Sequence, residues 1–334
     1  MIKLAIDIGS FTTKIFMAGS GIVLTEATCV AVEKAGTEVR YKALGDRARA
    51  LSGKAARNTH IVNPVSEGDI VHPDLLADLL SYFLEKIEIP RRKARRCEAL
   101  FILPCGAKEE LKKKYIDMAI KCGIGRTCFT QAPFAAVLGH NVNLSETMPV
   151  LCLDIGYGIT NIAVLSLDGI ISGISVNLGG GNIDVEVQDF MAESLRLKVG
   201  ALTAERIKNT VGSLMEDDNK MMIAEGRNID GGTPASIEVY SSDIIDIMAV
   251  YVDKILEYAS LIISKLPGDV SSAVMHGGVY LSGGLAKLDG IADFISARLG
   301  LPVNQSDAPA LCQIIGGGMI VSNEYLHAAL AVDA

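Results

Sequence analysis

The chain has 334 residues, 49% of them apolar, enough for two domains with buried cores. Its 31 basic against 39 acidic side chains leave a net charge of −8, and it has no tryptophan, which together argue against nucleic acid as a partner. No uninterrupted apolar run reaches the roughly 18 residues that cross a bilayer, Met1-Ile2-Lys3 enters a strand with no room for a signal peptide, and the seven cysteines lack metal-like spacing, so a cytoplasmic setting with reduced thiols is expected.

In chain order, the first element is an apolar strand ending in Asp7-Ile8-Gly9, then a tight turn and a second strand through Ser10-Phe11-Thr12-Thr13-Lys14-Ile15. Gly21-Ile22-Val23-Leu24 forms a third strand, and Ala27 to Val32 is expected to continue the same sheet. From about residue 33 to 63, short strand signals surround a helical patch at 45–52, the pattern of a small insert. After the turn Gly68–Pro73, residues Leu75, Leu76, Leu79, Leu80, Phe83 and Leu84 recur at helical spacing. Pro90 stops that helix and opens a basic run, Arg91, Arg92, Lys93, Arg95 and Arg96. A buried strand (Ala99–Leu103), a helix (Lys108 to about Cys122), a short strand and a helix from Pro133 follow. Such alternation builds a mainly parallel sheet covered on both faces.

The opening motif then recurs. Leu151-Cys152-Leu153-Asp154-Ile155-Gly156-Tyr157-Gly158-Ile159-Thr160-Asn161-Ile162 repeats strand, Asp-x-Gly turn and strand, and Gly169-Ile170-Ile171 supplies the third strand. Leu178-Gly179-Gly180-Gly181 is a glycine turn that starts a helix, whose free N–H groups favour anions. Thr203 reads as the N-cap of a helix carrying Glu205-Arg206-Ile207-Lys208. Residues 216–236 look polar and irregular, Ile237–Tyr240 a strand, and about 242–265 a long helix. Val279 to Ser282 is a strand feeding Gly283, Gly284, Leu285 and Ala286, while Gly316-Gly317-Gly318 suits close packing of helix backbone.

The duplicated turns carry the chemistry. Gly9 and Gly156 let backbone N–H groups approach a phosphate with no Cβ in the way. Asp7 and Asp154, at strand ends, suit a hydrated Mg2+ ion, a hard cation that keeps most of its waters. Asp-x-Gly alone also closes ordinary hairpins; two copies with matching strands point instead to a clamp on nucleotide phosphates. Glu205 and Lys208, three apart on one helix face, either bracket a ribose or adenine edge or form a surface ion pair worth a few tenths of a kcal/mol. No Walker A motif is present, and both near matches to G-x-G-x-x-G end on the wrong residue, Cys128 or Asn161. Cys105 has no histidine close in sequence, so thiol catalysis is not expected.

The two Asp-x-Gly turns, Gly179-Gly180-Gly181, Glu205-Arg206-Ile207-Lys208 and Ser282-Gly283-Gly284 fall in the order of the actin, DnaK-type chaperone and sugar kinase superfamily, and within it the chain resembles the MreB-type bacterial actins from about Leu4 to Gly318. The resemblance implies an actin-like ATPase fold of two duplicated α/β domains around a nucleotide cleft: 1–145 plus about 310–334, with an insert at about 33–65, and 146–310, with an insert at about 182–242. It implies ATP and Mg2+ as ligands, with Gly9, Ser10, Phe11, Thr12, Gly156, Tyr157, Gly158, Ile159 and Gly179 to Gly181 at the phosphates. Glu205 to Lys208 and Gly283 to Ala286 would hold the nucleoside. It also implies self-assembly into filaments, a role in cell shape with the wall-elongation machinery, and contact with a membrane surface, for which Ile87, Ile89 and the basic run are the candidates at about 1 kcal/mol per cation. The rival reading is a monomeric DnaK-like or chaperone-like ATPase accessory protein.

Departures from the family bear on catalysis. The residue before the proline that orients the attacking water is here Ala132, and Gln131 stands one place out. The second turn has Tyr157 and Ile159 where a glycine and a hydroxyl residue are usual. Well-placed polar groups contribute factors of roughly 10² to 10³ each, so slow or lost hydrolysis is expected.

Overall fold

The computed structural model describes residues 1–35, 38–56, 58–144 and 148–334. The apolar run at the start forms the strand Ile2–Ile8, whose last five residues are buried because it lies inside a six-stranded sheet. It pairs antiparallel with Thr12–Met17 and parallel with Cys97–Leu103. Gly21–Ala27 extends one side, and Arg126–Gln131 and Val332–Asp333 the other. The second copy, Val150–Ile155, pairs antiparallel with Thr160–Ser166 and parallel with Val279–Ser282. Gly169–Val176 and Val303–Gln305 complete that five-stranded sheet. Both sheets thus place an Asp-bearing strand between an antiparallel meander and parallel partners reached through helices, as parallel pairing requires.

Between the sheets run the helices Ala132–Leu138, buried at all seven positions, and Cys312–Ser322. One apolar cluster takes Ala5 and Leu100 from the first sheet, Val150 and Ala163 from the second, and Ile314 and Ile320 from the later helix. The two sheets are therefore joined by a shared core rather than by a linker alone. On the outer faces, Pro73–Lys86 and Glu109–Cys122 cover the first sheet, and Ser241–Ile263 covers the second. Two three-stranded sheets lie apart, one of Val30–Ala35, Glu38–Leu44 and Thr59–Val62, the other of Leu197–Lys198, Met221–Asn228 and Pro234–Tyr240.

Four expectations need correction. Ala27 to Val32 does not continue one sheet: the strand ends at Ala27, Thr28 pairs its hydroxyl with that of Thr13 at 2.9 Å, and the next strand joins the separate small sheet. The stretch thought irregular holds the strand Met221–Asn228. Its more sheltered positions include Ala224, Gly226 and Asn228, too small or polar to show an apolar alternation. Thr203 is not a cap: the helix is Ala201–Val211 with Gly200 at its N-cap, and the Thr203 N–H already donates to the Gly200 carbonyl. Ile89 is buried and Ile87 packs beside the same core, so neither stands free as an apolar anchor, and the basic run opens as a short helix at Arg91–Ala94. The expected junction at 145/146, and residues 36, 37 and 57 of the first insert, lie outside the described residues. Among those described, no helix is long and apolar enough to cross a membrane.

Candidate functional site

The two repeated turns have the same internal hydrogen bond. Gly9 N–H donates to Thr12 O at 3.0 Å, and Gly156 N–H to Ile159 O at 2.9 Å. Strand register sets Lys14 opposite Asp7 and Asn161 opposite Asp154. Lys14 Nζ lies 2.8 Å from Asp7 Oδ2, and Asn161 Nδ2 donates to Asp154 Oδ2 at 2.9 Å. Each acidic strand end is thus met by a donor seven residues later. Ser282 Oγ, from the neighbouring parallel strand, donates to Asp154 Oδ1 at 3.1 Å, and Gln313 Nε2 also donates to this carboxylate.

The turns meet. A Cβ on Gly158 would come within 2.7 Å of Ser10 Oγ, which shows how closely the two turns approach. Phe11 and Tyr157 stack across the junction with centroids 4.8 Å apart, and the Arg49 guanidinium lies 4.0 Å over the Phe11 ring. Arg49 also pairs with Glu205, which brings the small first insert onto the helix Ala201–Val211. Beside these groups opens a cavity of about 710 Å³. Burial holds the Asp154 carboxyl above the usual carboxylate range, and the charge of Asp7 pushes the same way against the hydrogen bonds from Asn161, Ser282 and Gln313. Lys14 gives Asp7 a counter-charge, whereas the donors to Asp154 are the neutral Asn161, Ser282 and Gln313, so a cation bound beside Asp154 would favour its ionised form.

The expected site residues divide. Asp7, Gly9, Ser10, Phe11, Thr12, Asp154, Gly156, Tyr157, Gly158, Ile159, Gly180, Glu205, Lys208, Gly283, Gly284 and Leu285 line the cavity. Of the glycine run only Gly180 reaches it, while Gly181 lies against the Tyr157 ring. Arg206 points to solvent, and Ile207 and Ala286 are buried in the second core, because one helix face cannot present four consecutive residues. Gln131 lies away from the cavity: its Oε1 accepts from Gly106 N–H at 2.9 Å and it lines a smaller cavity of about 270 Å³. Ala132 faces the cleft with its methyl group. Glu205 and Lys208 do not form the surface pair that was the alternative. Lys208 is buried, 2.7 Å from Asp184 and donating to Gly180 O at 2.9 Å. Burial raises the Asp184 carboxyl against the pull of Lys208.

Sequence reasoning gave no site role to Lys14, Asn161, Asp184 and Gln313, and placed Ser282 in the glycine turn without its bond to Asp154. The first two were readable, since they occupy equivalent places in the repeat; Asp184 and Gln313 are brought in only by tertiary contact. Cys105 is buried with its thiol pushed up to about 11 by burial, in keeping with an inert role.

Twin sheets, twin acidic turns and a cavity between them define an actin-like ATPase fold. The crystal structure of MreB 5 of Spiroplasma citri bound to AMPPNP has the same fold, with a TM-score of 0.90 at 23% identity over 96% of this chain and 95% of that one. The MamK double helical filament matches with a TM-score of 0.79 at 17% identity, covering 96% of this chain and 99% of that one. The MreB/Mbl protein family model matches residues 1–328, and this chain belongs to that family. The cell shape-determining protein MreB of Escherichia coli (strain K12) is 27% identical over 327 residues, covering 97% of this chain and 94% of that protein. The cell shape-determining protein Mbl of Bacillus subtilis (strain 168) is 27% identical over 321 residues, covering 96% of each. The chaperone-like alternative finds no support in these matches.

Proposed function

We propose that this chain is an MreB-like bacterial actin that binds ATP with Mg2+, assembles into filaments and acts in cell-shape determination, hydrolysing ATP slowly or not at all. The observation that carries the reading is the contact of the two acidic turns at the edge of a nucleotide-sized cavity. Relatives called cell shape-determining proteins support the cellular role, and a filament of the same fold supports self-assembly. The residues 1–145 with about 310–334 form one half and 146–310 the other, a division supported by the two sheets, whose strands fall into those ranges. Titration with ATP followed by electron microscopy tests binding and assembly together. Filaments dependent on ATP are expected; absence of both binding and polymer would overturn the reading.

The chain's own groups explain the roles. Backbone N–H groups of the two turns would bind the phosphates, and Asp7 and Asp154 would hold the magnesium ion. When bound, Mg2+ neutralises phosphate charge. Lys14, now paired with Asp7, lies within reach of the same anions. Hydrolysis needs a polar group that orients water, and at the relevant place the cleft has the Ala132 methyl while Gln131 faces elsewhere. Ala132→Glu is therefore expected to raise phosphate release by about 10²-fold. An unchanged rate in a folded, ATP-binding variant would show that the missing group is not what limits turnover.

A further inference from the structure

At the far edge of the first sheet, away from the nucleotide cavity, one mixed cluster of side chains has no role in the function above. Glu98 comes from the strand Cys97–Leu103, Cys128 from Arg126–Gln131 and His327 from the helix Glu324–Leu330. One ligand atom from each lies within 4.8 Å of the others, the sole such trio among the described residues. Glu98 is 1% exposed and Cys128 fully buried, and His327 is the most accessible of the three. Glu98 Oε1 and His327 Nε2 are 3.0 Å apart but not aligned as a hydrogen bond, and neither buried atom has a hydrogen-bond partner.

We propose that Glu98, Cys128 and His327, with Asp333 as a fourth donor, form a site for a zinc-type divalent cation that pins the last helix and strand onto the sheet edge. Several features fit. Thiolate and imidazole select zinc-like ions over Mg2+ or Ca2+. Asp333 Oδ1 is already 3.3 Å from Cys128 Sγ, which donates to it. Arg126 holds the other oxygen of Glu98, Oε2, at 2.9 Å, and grips Asp333 as well, so it orients both carboxylates from outside the cluster. Tetrahedral ligation at ordinary bond lengths puts ligand atoms roughly 3.3–3.8 Å apart, so the trio needs to close by about 1 Å at its widest. Charges balance: two carboxylates and a thiolate against a divalent ion and Arg126.

Metal entry forms a metal–sulfur bond, breaks the Cys128 S–H bond and passes that proton to the buffer; no electron is transferred. The plain alternative is that the cluster is only a set of ion pairs holding the chain end.

The test uses the full chain, stripped with a chelator and titrated with Co2+ as a spectroscopic stand-in for zinc, without nucleotide. Expected are one equivalent bound, the intense visible bands of tetrahedral cobalt with a near-ultraviolet thiolate charge-transfer band, competition by Zn2+, and slower amide exchange over residues 324–334 on binding. His327→Ala should weaken binding by at least about 100-fold, more than the loss of an outer-shell partner, and the exposed His276→Ala should leave it unchanged. Should Cys128→Ala fail to fold, Cys128→Ser serves, and it should abolish the charge-transfer band. Failure to bind Co2+ or Zn2+, or cobalt spectra unaltered by His327→Ala, would overturn the proposal and leave the ion-pair reading; neither result touches the nucleotide site.

Discussion

Gly316→Ala is expected to lower stability by about 3 kcal/mol and the unfolding midpoint by roughly 4 °C. Helix propensity alone predicts the opposite, because alanine is better than glycine inside a helix by about 1 kcal/mol. Packing decides. A Cβ at Gly316 would lie 1.8 Å from the Ala135 carbonyl oxygen, a backbone atom that cannot swing aside, so the helices Ala132–Leu138 and Cys312–Ser322 would have to part. Those helices join the two sheets, so the damage would not stay local. Gly268→Ala, at the start of another helix with open space around it, is the control and should be neutral or stabilising. Thermal unfolding of both variants measures the difference. A Gly316→Ala midpoint equal to or above that of the parent would refute the close-packing account.

Asp154→Asn is expected to erase most of the stabilisation that Mg2+–ATP confers. A ligand present at a thousand times its Kd stabilises the native state by about 4 kcal/mol, and the variant should lose this shift at the same ligand concentration. The asparagine keeps the shape but not the charge: its amide oxygen can still accept from Asn161 and Gln313, which share Oδ2, while its N–H₂ replaces the oxygen that accepts from Ser282. One lost hydrogen bond costs about 1 kcal/mol, while relief of a buried charge facing Asp7 acts the other way. The ligand-free protein should therefore change little. Thermal shifts measured with and without Mg2+–ATP separate the two effects. A full ligand-induced shift in Asp154→Asn would remove this carboxylate from the binding site.

Most of the phosphate site was legible because its signal is local and doubled. Asp7 and Asp154, with the glycines after them, recur in the same strand–turn–strand context, and a turn's hydrogen bonds depend on neighbours only a few residues away. The nucleoside side was half legible. Glu205 and Lys208 reach the cavity at helical spacing, but consecutive residues cannot share one face, so Arg206 and Ile207 fell elsewhere. Gln131 looked like a displaced catalytic group, and a single residue step turned it into a different cavity.

By itself the sequence determined the repeat, the two acidic turns, the cleft residues they bring, and the close-packed glycines near the end, because these are properties of short segments and their periodicity. Only the tertiary structure decided which partners Asp154 and Lys208 find, where the first hairpins hand over to a separate small sheet, and that Glu98, Cys128 and His327 converge with Asp333 beside Cys128. These contacts join residues far apart in the chain, and they depend on how sheets and helices pack, which no local pattern encodes.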